Sequence, residues 1–320
     1  MGKVRANITT IIRLVPLLLV FILNLIENGE TTTRPIIGIL AQENSDHRNG
    51  SFISASYVKA VEASGARVIP IFIGKNRTYY ERLLSELNGV VFPGGSVDFH
   101  ARGGHAEAAK YIFQEAMYLN DHGRHFPILG VCQGLQLLAQ LSNNGKDILT
   151  RCTGTYNIML NLIFKPGYAR SSLYGNASRE DLSALAKQNL TVNEHGSCVT
   201  QQNLSHFHLD KFWQVLTVNY DRTNKEFISS MEAYKYPFVG VQFHPEKVAY
   251  EWSMKLNILH SPLAVRVNRL FYDWLIYQSR FSRSRFNNTD IESRLLIYNF
   301  SPYYNGRKGG YPEQVYEFKW

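Results

Sequence analysis

Short apolar runs alternate with amphipathic stretches through the first half of the chain. RPIIGILAQ (34–42) is a compact apolar run behind a proline and predicts a buried parallel strand. In SASYVKAVEASGA (54–66), Tyr57, Val58 and Val61 fall at helical spacing, and Gly65 supplies the stop. ARVIPIFIG (66–74) predicts a second strand, and YYERLLSELNG (79–89) a short helix with Leu83, Leu84 and Leu87 on one face. GVVFPGG (89–95) reads as a third strand ending in a Pro-Gly-Gly loop. HAEAAKYIFQEAMYLNDHG (105–123) reads as a longer amphipathic helix, and FPILGV (126–131) as a fourth strand. Such alternation predicts an α/β fold with a mostly parallel central sheet and helices on both faces. Chemistry in these folds gathers beyond the carboxyl ends of the strands, where PGGS (93–96) and GVCQG (130–134) both fall.

The pattern changes between about residues 146 and 230. NIMLNLIF (157–164), WQVLTVNY (213–220) and EFISSMEAY (226–234) are strand-like, and their Asn- and Ser-rich connections suit antiparallel additions to the sheet. VGVQFHPE (239–246) is a further buried strand. Ser261 and Pro262 then open a helix through VRVNRLFYDWLIYQ (265–278), whose aromatics read as core packing. The polar and aromatic tail beyond it predicts a wrap over the surface.

A chain of 320 residues with 45% hydrophobic and 13% aromatic content is a folded globular protein, not a disordered one. No repeat or long linker divides it, so residues 31–320 are expected to form one domain. Residues 1–30 differ: Lys3, Arg5 and Arg13 precede the uncharged LVPLLLVFIL, and polar ENGETTT follows. That order reads as a secretory signal peptide, whose removal leaves no stable membrane insertion. No clean small-residue cleavage site precedes Thr31, which keeps an uncleaved anchor as the alternative. Asn49, Asn76, Asn176, Asn189, Asn203, Asn287 and Asn299 each begin an Asn-x-Ser/Thr sequon, in keeping with glycosylation on an export route. The net charge is +8, but the Lys and Arg residues are scattered, which argues against nucleic acid. A solvated basic surface is the simpler reading, and one that could attract a small acidic substrate.

Three cysteines, Cys132, Cys152 and Cys198, are too few for a disulfide framework and odd in number. Cys152 and Cys198 are either buried or paired. Cys132 sits in Gly130-Val-Cys132-Gln-Gly134, where a strand hands over to a helix with a glycine two residues to either side. A free cysteine is most often a buried apolar filler. Here, however, the tight turn resembles the elbow that exposes serine in Gly-x-Ser-x-Gly hydrolases. The adjoining helix N-terminus favours thiolate. The Gln133 and Gly95 N–H groups are candidate oxyanion donors. Of ten histidines, His244 stands out because a buried strand delivers it to the same sheet edge. Pro245 stops that strand and lets Glu246 turn back to the ring, completing nucleophile, base and orienting carboxylate.

Gly-x-Cys-x-Gly with a distant His-Pro-Glu resembles the class I glutamine amidotransferase superfamily. FISSMEAYKYPFVGVQFHPEKVAYEW (227–252), FPGGSVDF (92–99) and LIYNFSPYYNG (296–306) narrow the resemblance to the γ-glutamyl hydrolase family, from about Pro35 onward. That resemblance implies Cys132 as nucleophile, His244 as base and Glu246 as orienting group, with His195 near the substrate, where the turn and the Pro-Gly-Gly loop also set Gly94, Gly95 and Gln133. It implies poly-γ-glutamyl folates as substrates, neither metal nor organic cofactor, a homodimer, and a secreted or lysosomal (vacuolar) location. One departure is CQGLQ, where family members more often read Cys-Leu-Gly-Phe followed by Glu or Gln. Gln133 and Gln136 are therefore expected to alter the polarity of the pocket.

Other histidines carry weaker readings. His206 and His208 would share a strand face as metal ligands do, but no third ligand is nearby, and a solvated loop is the simpler reading. His100 and His105 flank Arg102-Gly-Gly and are expected on an exposed loop. Two rival functions remain. A glutamine amidotransferase would use the same triad but needs a synthetase to receive ammonia. A secreted binding protein would keep the fold without turnover.

Overall fold

The computed structural model describes residues 32–44, 50–308 and 311–319. The expected signal peptide (1–30) and the Asn49 sequon lie outside the described residues. Eight strands form the main sheet: β1 (Ile36–Leu40), β2 (Arg67–Ile71), β3 (Gly89–Phe92), β4 (Ile128–Val131), β5 (Ile163–Phe164), β6 (Trp213–Tyr220), β7 (Glu226–Ala233) and β8 (Phe238–Val241). Their order is β2-β1-β3-β4-β8-β7-β6-β5. The run from β2 to β8 is parallel, and β7, β6 and β5 extend it antiparallel.

Alternate side chains along these strands feed two cores, as the period of two requires. Ile37, Ile39, Val91, Leu129, Val131, Val239 and Val241 face one layer. There α1 (Ala55–Ala63) supplies Tyr57, Val58 and Val61, and α5 (Pro262–Ser279) supplies Phe271 and Leu275. Ile36, Leu40, Val90, Phe92, Ile128 and Phe238 face the other. They meet Leu83 and Leu84 of α2 (Arg77–Leu84), Ile112 and Phe113 of α3 (His105–Asp121), and Leu137 and Leu138 of α4 (Gln133–Ser142). Burial on both faces explains why β1, β3, β4 and β8 are continuous apolar runs. Truncating a ring such as Phe271 to alanine would cost about 3–5 kcal/mol.

Caps explain where helices begin. α5 starts as expected, with the Ser261 hydroxyl accepting the Ala264 N–H at 3.2 Å and Pro262 in the first turn. α2 starts two residues earlier than the leucine spacing implied, because Asn76 Oδ1 accepts the Tyr79 N–H at 3.0 Å. NIMLNLIF divides: Ile158–Leu160 pairs with Thr191–Asn193, whereas β5 joins β6. The tail does more than wrap the surface. Gln314–Phe318 pairs antiparallel with Ser51–Ser54, in a four-stranded sheet completed by Gln42–Glu43 and Tyr303–Tyr304.

One histidine expectation needs correction, and the solvated reading of His206 and His208 holds, since both are exposed. His105 is not on an exposed loop: it opens α3 fully buried, with Nδ1 2.9 Å from the Ala41 carbonyl. His206 ends a short helix (Gln201–His206) and His208 turns through φ 57°, so the two share no strand face. Among the described residues, no group of three or more His, Cys, Asp or Glu side chains is arranged to hold a metal ion. No described helix is long and apolar enough to cross a membrane.

Candidate active site

Strands β3, β4 and β8 lie side by side in register, with Phe92 and Gly240 both opposite Gly130. They therefore release the chain at one level: Pro93-Gly94-Gly95 on one side, Gln242-Phe243-His244 on the other, Cys132 between. Cys132 donates its N–H to Val241 O at 2.7 Å and adopts φ 53°, ψ −107°. A positive φ at a residue with a side chain costs on the order of 1–3 kcal/mol and persists only where the surroundings enforce it. Close helix packing does so here. A Cβ on Gly130 would approach Gly134 O to 2.6 Å, and one on Gly134 would strike Phe92 O, so only glycines let α4 begin at once. The thiol is nearly buried and is the free one among the described cysteines.

His244 is anchored by its own N–H, which donates to Val192 O at 2.8 Å. Its Nδ1 donates to Glu246 Oε1 at 2.7 Å, and both side chains are buried. Burial and the Lys247 charge oppose protonation of the ring. The charges of Glu246 and Cys132 outweigh them and push the imidazole up to about 9. The Tyr57 oxygen lies 3.4 Å from the same Nδ1 and accepts the Gly94 N–H at 2.8 Å. Burial first, and then Glu246, hold the Tyr57 phenol protonated. Tyr272 stands beside Glu246 with its phenol raised for the same two reasons.

The Asn193–Cys198 segment closes another side. Glu194 O is 3.9 Å from the Cys132 sulfur. Next to it, His195 is buried, with Nδ1 3.0 Å from Ser197 O and Nε2 3.3 Å from Asn193 Oδ1. Burial pushes His195 down to about 3, with the nearby His244 adding to the effect, so it is a neutral ring. Cys152 and Cys198 form a buried disulfide that staples this segment to Thr150–Arg151.

The Pro-Gly-Gly loop is held from both ends. Tyr57 takes the Gly94 N–H, and the Gln133 side chain both accepts from Val97 N at 2.9 Å and donates to Val97 O at 2.8 Å. The Gly95 and Gln133 N–H groups meet no acceptor among the described residues. Gln136 is buried and donates to Ser197 O at 2.7 Å. The amides of Gln133 and Gln136 are thus spent on the site's own loops, a different role from the expected tuning of pocket polarity.

Tyr57, Gln242 and Lys247 escaped the reading of the sequence. Gln242 is fully buried and donates from Nε2 to the Cys132 sulfur at 3.7 Å. Lys247 is buried beside Glu246, its ammonium 4.3 Å from the centre of the Tyr311 ring. Both neighbour His-Pro-Glu, the signal that could have found them. Tyr57 had none, since its phenol reaches the site only through the packing of α1. Among the sequons, Asn76, Asn176, Asn189 and Asn287 are exposed and Asn203 is half-buried. Asn299 is exposed overall, but its Nδ2 donates to the carbonyls of Ser293, Arg294 and Leu296.

Comparison with known proteins places this geometry in context. Residues 35–246 match the family model described as peptidase C26. The chain is 39% identical over 289 residues to gamma-glutamyl hydrolase of Rattus norvegicus, covering 89% of this chain and 90% of the relative. It is 38% identical to gamma-glutamyl hydrolase of Homo sapiens, covering 91% and 92%. It is also 32% identical to gamma-glutamyl hydrolase 1 of Arabidopsis thaliana, covering 89% and 83%.

Proposed function

The chain belongs to the peptidase C26 family, and on that premise we propose that it is a thiol hydrolase of γ-glutamyl bonds that acts on pteroylpoly-γ-glutamates. The observation that carries the reading is the strained Cys132 elbow, set between the strand end that bears Gly94-Gly95 and the one that bears the buried His244–Glu246 pair. The Cys132 sulfur attacks the carbonyl carbon of the γ-linkage, and the Gly95 and Gln133 N–H groups receive the oxyanion. His244, held protonated beside Glu246, gives its Nε2 proton to the departing amine as the C–N bond breaks, leaving a γ-glutamyl thioester. The neutral imidazole then takes a proton from water. The resulting hydroxide attacks the thioester, and the carboxylate leaves as the thiolate re-forms against the imidazolium. Glu246 keeps the ring in one orientation throughout. His195, neutral and one residue from the Glu194 carbonyl, lines the substrate's approach with Gly94.

The wider reading is a catalytic domain over residues 31–320 that is glycosylated, freed of its signal peptide, secreted or delivered to the lysosome, and assembled as a homodimer. The decisive experiment is turnover of a folate pentaglutamate by the mature chain beside Cys132→Ala. Release of glutamates by the wild type and none by the variant is the expected result. Cleavage by the variant would overturn the nucleophile, and binding without cleavage by the wild type would favour the silent binding protein.

A further inference from the structure

Gln136 lies one helical turn beyond Cys132, on the face of α4 turned toward the site. Its Nε2 makes two contacts: Ser197 O at 2.7 Å and Gln242 Oε1 at 3.3 Å. A carbonyl oxygen only accepts, so the Gln136 atom facing Ser197 must be the amide nitrogen. That nitrogen's second hydrogen meets Gln242, so the Gln242 atom facing it must be the oxygen. By elimination the NH2 of Gln242 is turned to the Cys132 sulfur, 3.7 Å away. Both glutamines are buried, so neither amide has water to satisfy it in the opposite orientation.

Resting on the reading of Cys132 as nucleophile, we infer that Gln136 is a positioning residue that locks the Gln242 amide with its N–H donor on the sulfur. A donor held there favours the charged sulfur over the neutral thiol, and it is in place before substrate arrives. The anchor of the relay is Ser197 O, which also accepts from His195 and adjoins the Cys152–Cys198 disulfide. A glutamate at this position, as the resembled family often has, could not copy the arrangement. Its carboxylate would face Ser197 O as a second acceptor and would draw the Gln242 NH2 toward itself, off the sulfur.

The test is a double-mutant cycle in the full mature chain with Gln136→Met, Gln242→Met and the pair, and with Gln136→Glu as a polar variant of the same size. Two assays are run: the rate of Cys132 alkylation by iodoacetamide at pH 6, and steady-state hydrolysis of a γ-linked diglutamate for kcat and KM. Each single change is expected to lower the alkylation rate and kcat about tenfold, with KM within about twofold. The double variant is expected to be no worse than Gln242→Met, because Gln136 acts through Gln242. Gln136→Glu is expected to lose as much as Gln136→Met. Losses that multiply to about a hundredfold in the pair, or wild-type alkylation in Gln136→Glu, would overturn the inference. The alkylation arm needs no substrate. A chain that shows its pattern yet cleaves no γ-glutamyl bond would overturn the proposed reaction and leave the relay standing.

Discussion

Gly94→Ala is the sharpest probe of how tightly the site is assembled. A methyl group at Gly94 would lie 2.6 Å from His244 Cε1, 2.9 Å from Cys132 Cβ and 3.0 Å from the Tyr57 oxygen. Ordinary contact begins near 3.4 Å, so relief of the first clash alone needs a displacement of 3.4 − 2.6 = 0.8 Å. None of the three neighbours yields easily: Cys132 is fixed by its elbow, His244 by Glu246 and Val192, and Tyr57 by its buried place on α1. The Pro-Gly-Gly loop must therefore retreat, carrying the Gly95 N–H with it. A shift near 1 Å at a reacting centre costs about a hundredfold, so kcat/KM should fall by about 10²-fold. Overpacking should lower stability by about 1–3 kcal/mol, visible as a modest fall in melting temperature. Gly95→Ala is the comparison: the atoms nearest its methyl group belong to the amide end of the Gln42 side chain, which can swing aside, so the variant keeps its N–H in place and should lose less than about tenfold. Steady-state hydrolysis and thermal melts of both variants decide the matter. A Gly94→Ala enzyme within threefold of wild type, or a Gly95→Ala enzyme equally damaged, would refute the argument.

The His244 imidazolium is held up to about 9, so kcat/KM should stay high to that pH and fall tenfold per unit above it. A raised pKa also stabilises the fold: the contribution is complete below the ordinary histidine value and lost as pH rises through about 9, which alkaline melts of wild type and Glu246→Gln will measure. His105 has the opposite sign. Burial pushes it down to about 4, so the stability it contributes is present above the ordinary histidine value and drains as pH falls toward 4. The loss is about 3 kcal/mol at that pH, and His105→Asn, which can keep the bond to Ala41 O, should flatten the acid limb. Replacing Cys152 and Cys198 together by serine should cost about 4 kcal/mol for the 46-residue separation they close, read by denaturant unfolding, and should lower kcat because Ser197 loses its anchor. In glycopeptide mapping of the chain expressed through a secretory pathway, Asn76, Asn176 and Asn287 should carry glycans and Asn299 should not, since its amide nitrogen already serves three carbonyls.

Much of this arrangement was readable because its parts are local. Five parallel strands announce themselves as apolar runs, each followed by a turn or helix signal, and a strand end is where a side chain meets the site. Cys132 between its glycines and His244-Pro-Glu after VGVQF are therefore visible one motif at a time, and the register of β3, β4 and β8 brings their strand ends together. What stayed hidden depends on contacts between distant segments. Tyr57 looks like any core aromatic on a helix face until α1 packs its phenol against Gly94. The partnership of Cys152 with Cys198 needs the pairing of Thr150–Arg151 with Ser197–Cys198, two short strands with no periodicity to betray them. His105 misled for a similar reason, because polar neighbours marked a loop while a carbonyl from β1's far end buried the ring.

The difference also separates two kinds of requirement within the site. The groups proposed to touch the reacting atoms sit at strand ends, where geometry is set by the sheet and tolerates little change in residue type. The groups that orient them, Tyr57, Gln136, Gln242 and the disulfide, reach in from α1, α4, the residue after β8 and a small pair of strands far apart in sequence. Orientation needs only a donor or acceptor at the right point in space, and several residue types on several elements can supply one. A site of this kind can therefore keep its elbow and its His–Glu pair while a surrounding side chain is exchanged, as Gln133 is here. Exchange has a physical limit: each replacement must leave every buried donor and acceptor paired, which at Gln136 means donating to Ser197 and Gln242 at once.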